Sequence, residues 1–124
     1  MDDTPLRVPN FFLHALRYDV GSLVVTLAVK GDPHFEVQFD PPRAFRSYAE
    51  SDFWQYLKAY KGEPLLSGGD ADIGVFMSED APYVVEYRKY VRPSEPETTY
   101  SCLIATEQEC VEVVCFEKPT IRFL

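Results

Sequence analysis

SLVVTLAVKGDPHFEVQFD, residues 22–40, is the one segment in which hydrophobic pattern, turn chemistry and composition agree, and it reads as a β-hairpin. In the second arm Phe35, Val37 and Phe39 alternate with His34, Glu36, Gln38 and Asp40, the period of two that marks a strand with one dry face. The first arm sets Leu23, Val25, Leu27 and Val29 against Val24, Thr26, Ala28 and Lys30, so it is covered more deeply. Gly31, Asp32 and Pro33 are expected to supply the reversal.

Upstream, Phe11–Asp19 fits two periods: Phe11, Phe12, Ala15 and Leu16 would share a helical face, and Phe12, His14, Leu16 and Tyr18 a strand face. The strand reading is preferred, because Asp19, Val20 and Gly21 then form a tight link into the hairpin and complete a meander. Residues 1–9, with Pro5 and Pro9, are expected to be an extended arm. Downstream, Pro41 and Pro42 remove two backbone donors and must stop the ladder. Ala44–Tyr48 reads as a short edge strand or a crossing segment.

The clearest helix signal is Ser51–Lys61. Ser51 is the expected N-cap, Glu50 and Asp52 suit the positive end of the dipole, Lys58 and Lys61 the negative end, and Gly62 the C′ position. Phe53, Trp54, Leu57 and Tyr60 make a stripe that should face the sheet, which places the single Trp in the core. Pro64–Asp72 reads as a loop and Ile73–Met77 as a strand. In Ser78–Val91, Tyr83, Val85, Tyr87 and Lys89 would line a strand. The preferred reading is a short helix capped by Asp80, with Pro82 in its first turn and Val84, Tyr87, Arg88 and Val91 helically spaced. A loop over Arg92–Thr99 leads to two apolar runs, Tyr100–Ala105 and Cys110–Phe116, joined by Thr106–Glu109. Pro119 ends the second, and Ile121–Leu124 adds an edge strand. The sum is a single α+β domain over residues 1–124: an antiparallel sheet of about six strands with one main helix on one face.

The 124 residues suffice for a self-supporting core. Twenty acidic and 12 basic side chains give a net charge of −8, which repels nucleic acid and anionic membranes; it either serves solubility alone or speeds encounter with a basic protein partner. Three cysteines, Cys102, Cys110 and Cys115, cannot all pair and form no CxxC motif, which suits a reducing, cytoplasmic setting. Asp2 and Asp3 stand where a signal peptide carries positive charge, and no apolar run reaches membrane-spanning length.

Signals of chemistry are sparse. Only His14 and His34 could activate a thiol, and the cysteines lie in apolar, strand-like runs. Asp70 and Asp72 offer two oxygen ligands where a calcium loop needs about five. Gly68 and Gly69 lack the context of a phosphate cradle. No catalytic residue, metal or cofactor is therefore expected. What remains is a surface. Glu79, Asp80, Tyr83, Glu86, Tyr87 and Tyr90 combine carboxylates with tyrosines, the composition of an interface core. Against this stands the reading that some of these rings fill the core.

The order LHALRYDVGSLVVTLAVKG, HFEVQFD, AFRSYAESDFWQYL and YSCLIATEQECVEVVCFEKPTI resembles that of small bacterial proteins that include immunity proteins of polymorphic toxin systems. The resemblance spans most of the chain but carries no site motif. It implies a non-enzymatic protein that binds and blocks a toxin. The alternatives are a small-ligand binder or enzyme with a site built from distant residues, and a homodimer in which Ile121–Leu124 pairs with its twin.

Overall fold

The computed structural model describes residues 6–91 and 98–124. Its strands are β1 (Leu6–Arg7), β2 (Phe12–Asp19), β3 (Ser22–Val29), β4 (Asp32–Phe39), β5 (Ala44–Ala49), β6 (Glu63–Ser67), β7 (Gly74–Ser78), β8 (Tyr100–Ala105), β9 (Glu109–Cys115) and β10 (Thr120–Phe123). Two helices, α1 (Trp54–Ala59) and α2 (Pro82–Tyr90), complete the elements, with a 3-10 turn at Glu50–Asp52 ahead of α1. The strands form two sheets, of order β1-β6-β7-β8-β9-β5 and β10-β4-β3-β2. All pairings are antiparallel except β1 with β6.

The hairpin of residues 22–40 is the centre of the smaller sheet. Phe35, Val37 and Phe39 are buried, facing the core with Leu23, Val25 and Leu27. The reversal differs from expectation: Lys30 and Gly31 both take positive φ, 53° and 87°, and form a two-residue turn, while Asp32 and Pro33 already belong to β4. Positive φ at both central positions matches the right-handed twist of the flanking strands. Pro33 is tolerated because β10 pairs only with Phe35–Gln38, so the missing donor interrupts no ladder on that side. Phe12–Asp19 is a strand, linked to β3 through Val20 and Gly21, as the meander requires.

There are two sheets where the sequence suggested one, and the reason lies in β8 and β9. Val111, Val113 and Cys115 point into the core shared with the hairpin, while Cys110 and Val114 on the opposite face pack into clusters under the helices. A strand with apolar residues on both faces needs a cover on each. The result is three layers: the four-stranded sheet, the six-stranded sheet, and α1 and α2 on its outer face.

Further expectations are corrected. Residues 63–67 form β6 rather than a loop, and Leu6–Arg7 of the expected arm pairs beside it. The main helix is α2, because α1 spans only Trp54–Ala59. Ser51 lies in the 3-10 turn and caps nothing, and Tyr60 already has an extended backbone. The chain must leave the helix there, since Gly62 passes so close to β7 that a Cβ would sit 2.8 Å from the Met77 carbonyl oxygen. Asp80 likewise is not a cap; its carboxylate accepts from the Ser78 hydroxyl at 2.9 Å, and Ala81 holds the cap position. Trp54 is 54% exposed rather than core. The expected loop over 92–99 falls largely outside the described residues.

Candidate functional site

The outer face of β9 carries one charged residue among apolar ones. Glu112 is fully buried, and the β5–β9 register sets Arg46 directly opposite it. The Arg46 guanidinium donates to one carboxylate oxygen from Nη2 at 2.8 Å and from Nε at 3.2 Å. The other oxygen accepts from the Tyr56 hydroxyl of α1 at 2.7 Å and from Ser101 Oγ of β8 at 2.6 Å. Ser101 in turn accepts from Tyr60, whose hydroxyl lies 3.0 Å from its Oγ and 3.1 Å from its carbonyl oxygen. Both carboxylate oxygens are thus satisfied by four donors, the condition under which a buried charge is tolerable.

Arg46 is itself enclosed by four rings. Its guanidinium carbon lies 4.2 Å from the Tyr83 ring centre, 5.0 Å from Tyr56, 5.2 Å from Tyr48 and 5.5 Å from Phe53, all within cation–π range. Burial works against its charge, yet the hydrogen bond and the negative field of Glu112 outweigh it and raise the guanidinium's affinity for its proton. Tyr56, Tyr60 and Tyr83 are held protonated above the usual phenol range, chiefly by burial. This cluster ties α1, which has no fully buried side chain of its own, to β5, β8 and β9.

One polar atom beside the cluster is left over. The Tyr48 hydroxyl is buried without a hydrogen-bond partner among the described residues, its ring 4.3 Å from that of Phe53. A buried hydroxyl lacking a partner costs about 1–3 kcal/mol. Tyr48→Phe is therefore expected to raise stability by about 1 kcal/mol, read as a higher urea midpoint at unchanged m-value. A loss of stability would show that the hydroxyl is satisfied.

Beside the cluster, α1 and strands β6–β8 border a groove of about 1520 Å³. Leu57, Tyr60, Phe76 and Leu103 form its apolar floor, and Trp54 stands in its wall. Eight carboxylates and three lysines line it, among them Glu63, Asp72, Glu79 and Glu107. None of the eight forms an ion pair among the described residues.

Of the residues singled out in the sequence, Glu79 and Asp80 lie on the groove rim. Tyr83 and Tyr87 are half-buried in the cluster under α2, where Val84 meets Val114. Glu86 pairs with Lys89 at 3.2 Å, and Tyr90 is 81% exposed. The structure thus spreads these six residues over the groove rim, the packed side and the open side of α2. Comparison with protein-family models, curated proteins and solved structures finds no match. The functional reading therefore rests on the geometry. No helix among the described residues is long and apolar enough to cross a membrane.

The other sequence candidates are structural in their placement. Asp70 is locked to Asn10, which donates to its carboxylate at 2.8 Å and accepts from its amide at 2.7 Å. His14 is exposed on β2, and His34 lies edge-on to Phe123 with ring centres 6.0 Å apart. Among the described residues no group of His, Cys, Asp and Glu is arranged to hold a metal. All three cysteines are buried and free. Burial pushes the Cys110 thiol up to about 11 and Cys115 up to about 12, so neither is a thiolate at neutral pH.

In the unfolded chain a thiol releases its proton near pH 8.5, whereas the folded thiols hold theirs, so their contribution is complete below about pH 8.5. It is lost as pH rises towards about 11 and 12. The urea midpoint should fall steadily above about pH 9, and Cys110→Ala should flatten part of that fall. A midpoint independent of pH up to about 11 would contradict the burial of these thiols.

Arg46, Tyr56, Ser101 and Glu112 escaped the sequence reading. The signal was present in CVEVVC: a single carboxylate in a run otherwise apolar on both faces must have a partner.

Proposed function

We propose that the chain is a non-enzymatic protein-binding module, an inhibitor of the immunity type that docks on a basic partner and covers its active site. The observation that carries this reading is the half-exposed Trp54 standing beside carboxylates that lack ion-pair partners among the described residues. A large exposed aromatic in an acidic surround has the make-up of an interface anchor, with the field steering a basic protein and the ring holding it. The buried Glu112 supports the same reading from the other side. All its acceptor positions face donors of the chain, so it is spent on holding α1 in place and not open to a substrate.

The test is capture by the tagged chain from a lysate of its own host, followed by measurement of association with the recovered protein. A basic protein is expected, with an association rate that falls at least tenfold between low and high salt. Recovery of no partner, or a rate indifferent to salt, would overturn the proposal.

A further inference from the structure

We infer that the groove beside α1 receives a projecting peptide segment of the partner, one in which arginine or lysine side chains alternate with apolar ones. For its partner this rests on the protein-binding reading above; for its chemistry it rests on the groove alone. Three properties of the groove select the occupant.

Size comes first. At about 1520 Å³ the groove exceeds the roughly 300–1,000 Å³ of pockets that enclose a small ligand, so a metabolite would leave most of it wet. A stretch of polypeptide is of the right scale.

Charge comes second. Eight carboxylates against three lysines give the lining an excess of five negative charges, with no internal cation paired to any carboxylate among the described residues. That excess makes a negative field over the concavity, which a cationic occupant would neutralise. An anionic or neutral segment would not.

The floor comes third. Leu57, Tyr60 and Phe76 present apolar surface at the base of the groove, above the buried Leu103, and Trp54 flanks it. A purely charged segment would leave that surface hydrated. Apolar side chains between the basic ones would cover it, at about 25 cal/mol per Å² buried. The inhibitor would thus swallow a protruding loop or tail of its partner rather than press one flat face on another.

Trp54 is the only tryptophan in the chain, so its emission reports occupancy directly. The probe is a short synthetic peptide of alternating arginine and leucine, titrated into the full chain alongside oligoarginine and a peptide of alternating glutamate and leucine. The expected result is a saturable blue shift of Trp54 emission with the arginine–leucine peptide and none with the glutamate–leucine peptide. Affinity should fall at least tenfold for oligoarginine, and at least tenfold for the arginine–leucine peptide on the double variant Glu79→Lys with Asp80→Lys. Absence of a shift, equal binding of oligoarginine, or indifference to the two charge reversals would overturn the groove. The two readings also separate with the captured partner. A partner held equally by wild type and double variant would overturn the groove and leave the protein-binding reading standing. A host lysate that yields no partner, with the peptide still bound, would overturn that reading and leave the groove.

Discussion

Arg46→Ala is expected to lower the stability of the fold by about 3 kcal/mol, the low end of the cost of breaking a buried ion pair, because it strands the fully buried Glu112 although the Arg46 side chain itself is 32% exposed. In a chain of this length that corresponds to a fall in Tm on the order of 10–20 °C. The size follows from what is left behind. Glu112 is fully buried, and without Arg46 one of its two oxygens loses both of its donors while the carboxylate loses its cation. Four rings, those of Tyr48, Phe53, Tyr56 and Tyr83, also lose the group they surround. Two controls separate the ion pair from packing. Glu112→Leu combined with Arg46→Met should recover only part of the loss, because an apolar pair of similar volume replaces both charges together while the Tyr56 and Ser101 hydroxyls lose their acceptor. Methylguanidinium added to the Arg46→Ala protein should raise its Tm more than it raises that of the wild type, since the vacated box of rings and carboxylate has the chemistry to hold a guanidinium. A loss below about 1 kcal/mol for the single change would mean that the pair behaves as a surface contact.

The same pair marks the boundary of what the sequence disclosed. The hairpin of residues 22–40, the β2 strand, the stop at Pro41 and the β8–β9 hairpin were legible because their signals are local: alternation along one strand, or a turn residue between two. Arg46 and Glu112 meet only through the pairing of β5 with β9, across most of the chain, and no local pattern announces that register. β6 was hidden for a different reason. Pro64 and the following Gly68–Gly69 look like loop chemistry, yet β6 lies towards the edge of its sheet, where a missing donor is tolerated. The groove was invisible for both reasons at once. Its rim draws Glu79 and Asp80 from one loop and Asp72 and Glu107 from others, and its floor comes from residues that local periodicity could only assign to a core.

Trp54 shows how helical spacing misleads. A stripe of Phe53, Trp54, Leu57 and Tyr60 describes which side chains share a face but not how much of that face the sheet can cover. With α1 only six residues long, coverage reaches Leu57 and Tyr60 and stops short of Trp54. Phe35 is the opposite case. It is fully buried between the sheets, edge-on to Phe11 with ring centres 5.0 Å apart and tilted against Phe123 at 5.8 Å. Phe35→Ala should therefore cost about 3–5 kcal/mol, transfer and cavity together, while Trp54→Ala should cost less than about 1 kcal/mol despite removing the larger ring. The two changes invert when binding is measured. Trp54→Ala should weaken affinity for the captured partner by tenfold or more, as loss of an interface anchor does, at nearly unchanged urea midpoint. If Trp54→Ala instead destabilised the fold as much as Phe35→Ala, the ring would be a core residue after all, and the surface on which the protein-binding reading depends would lose its anchor.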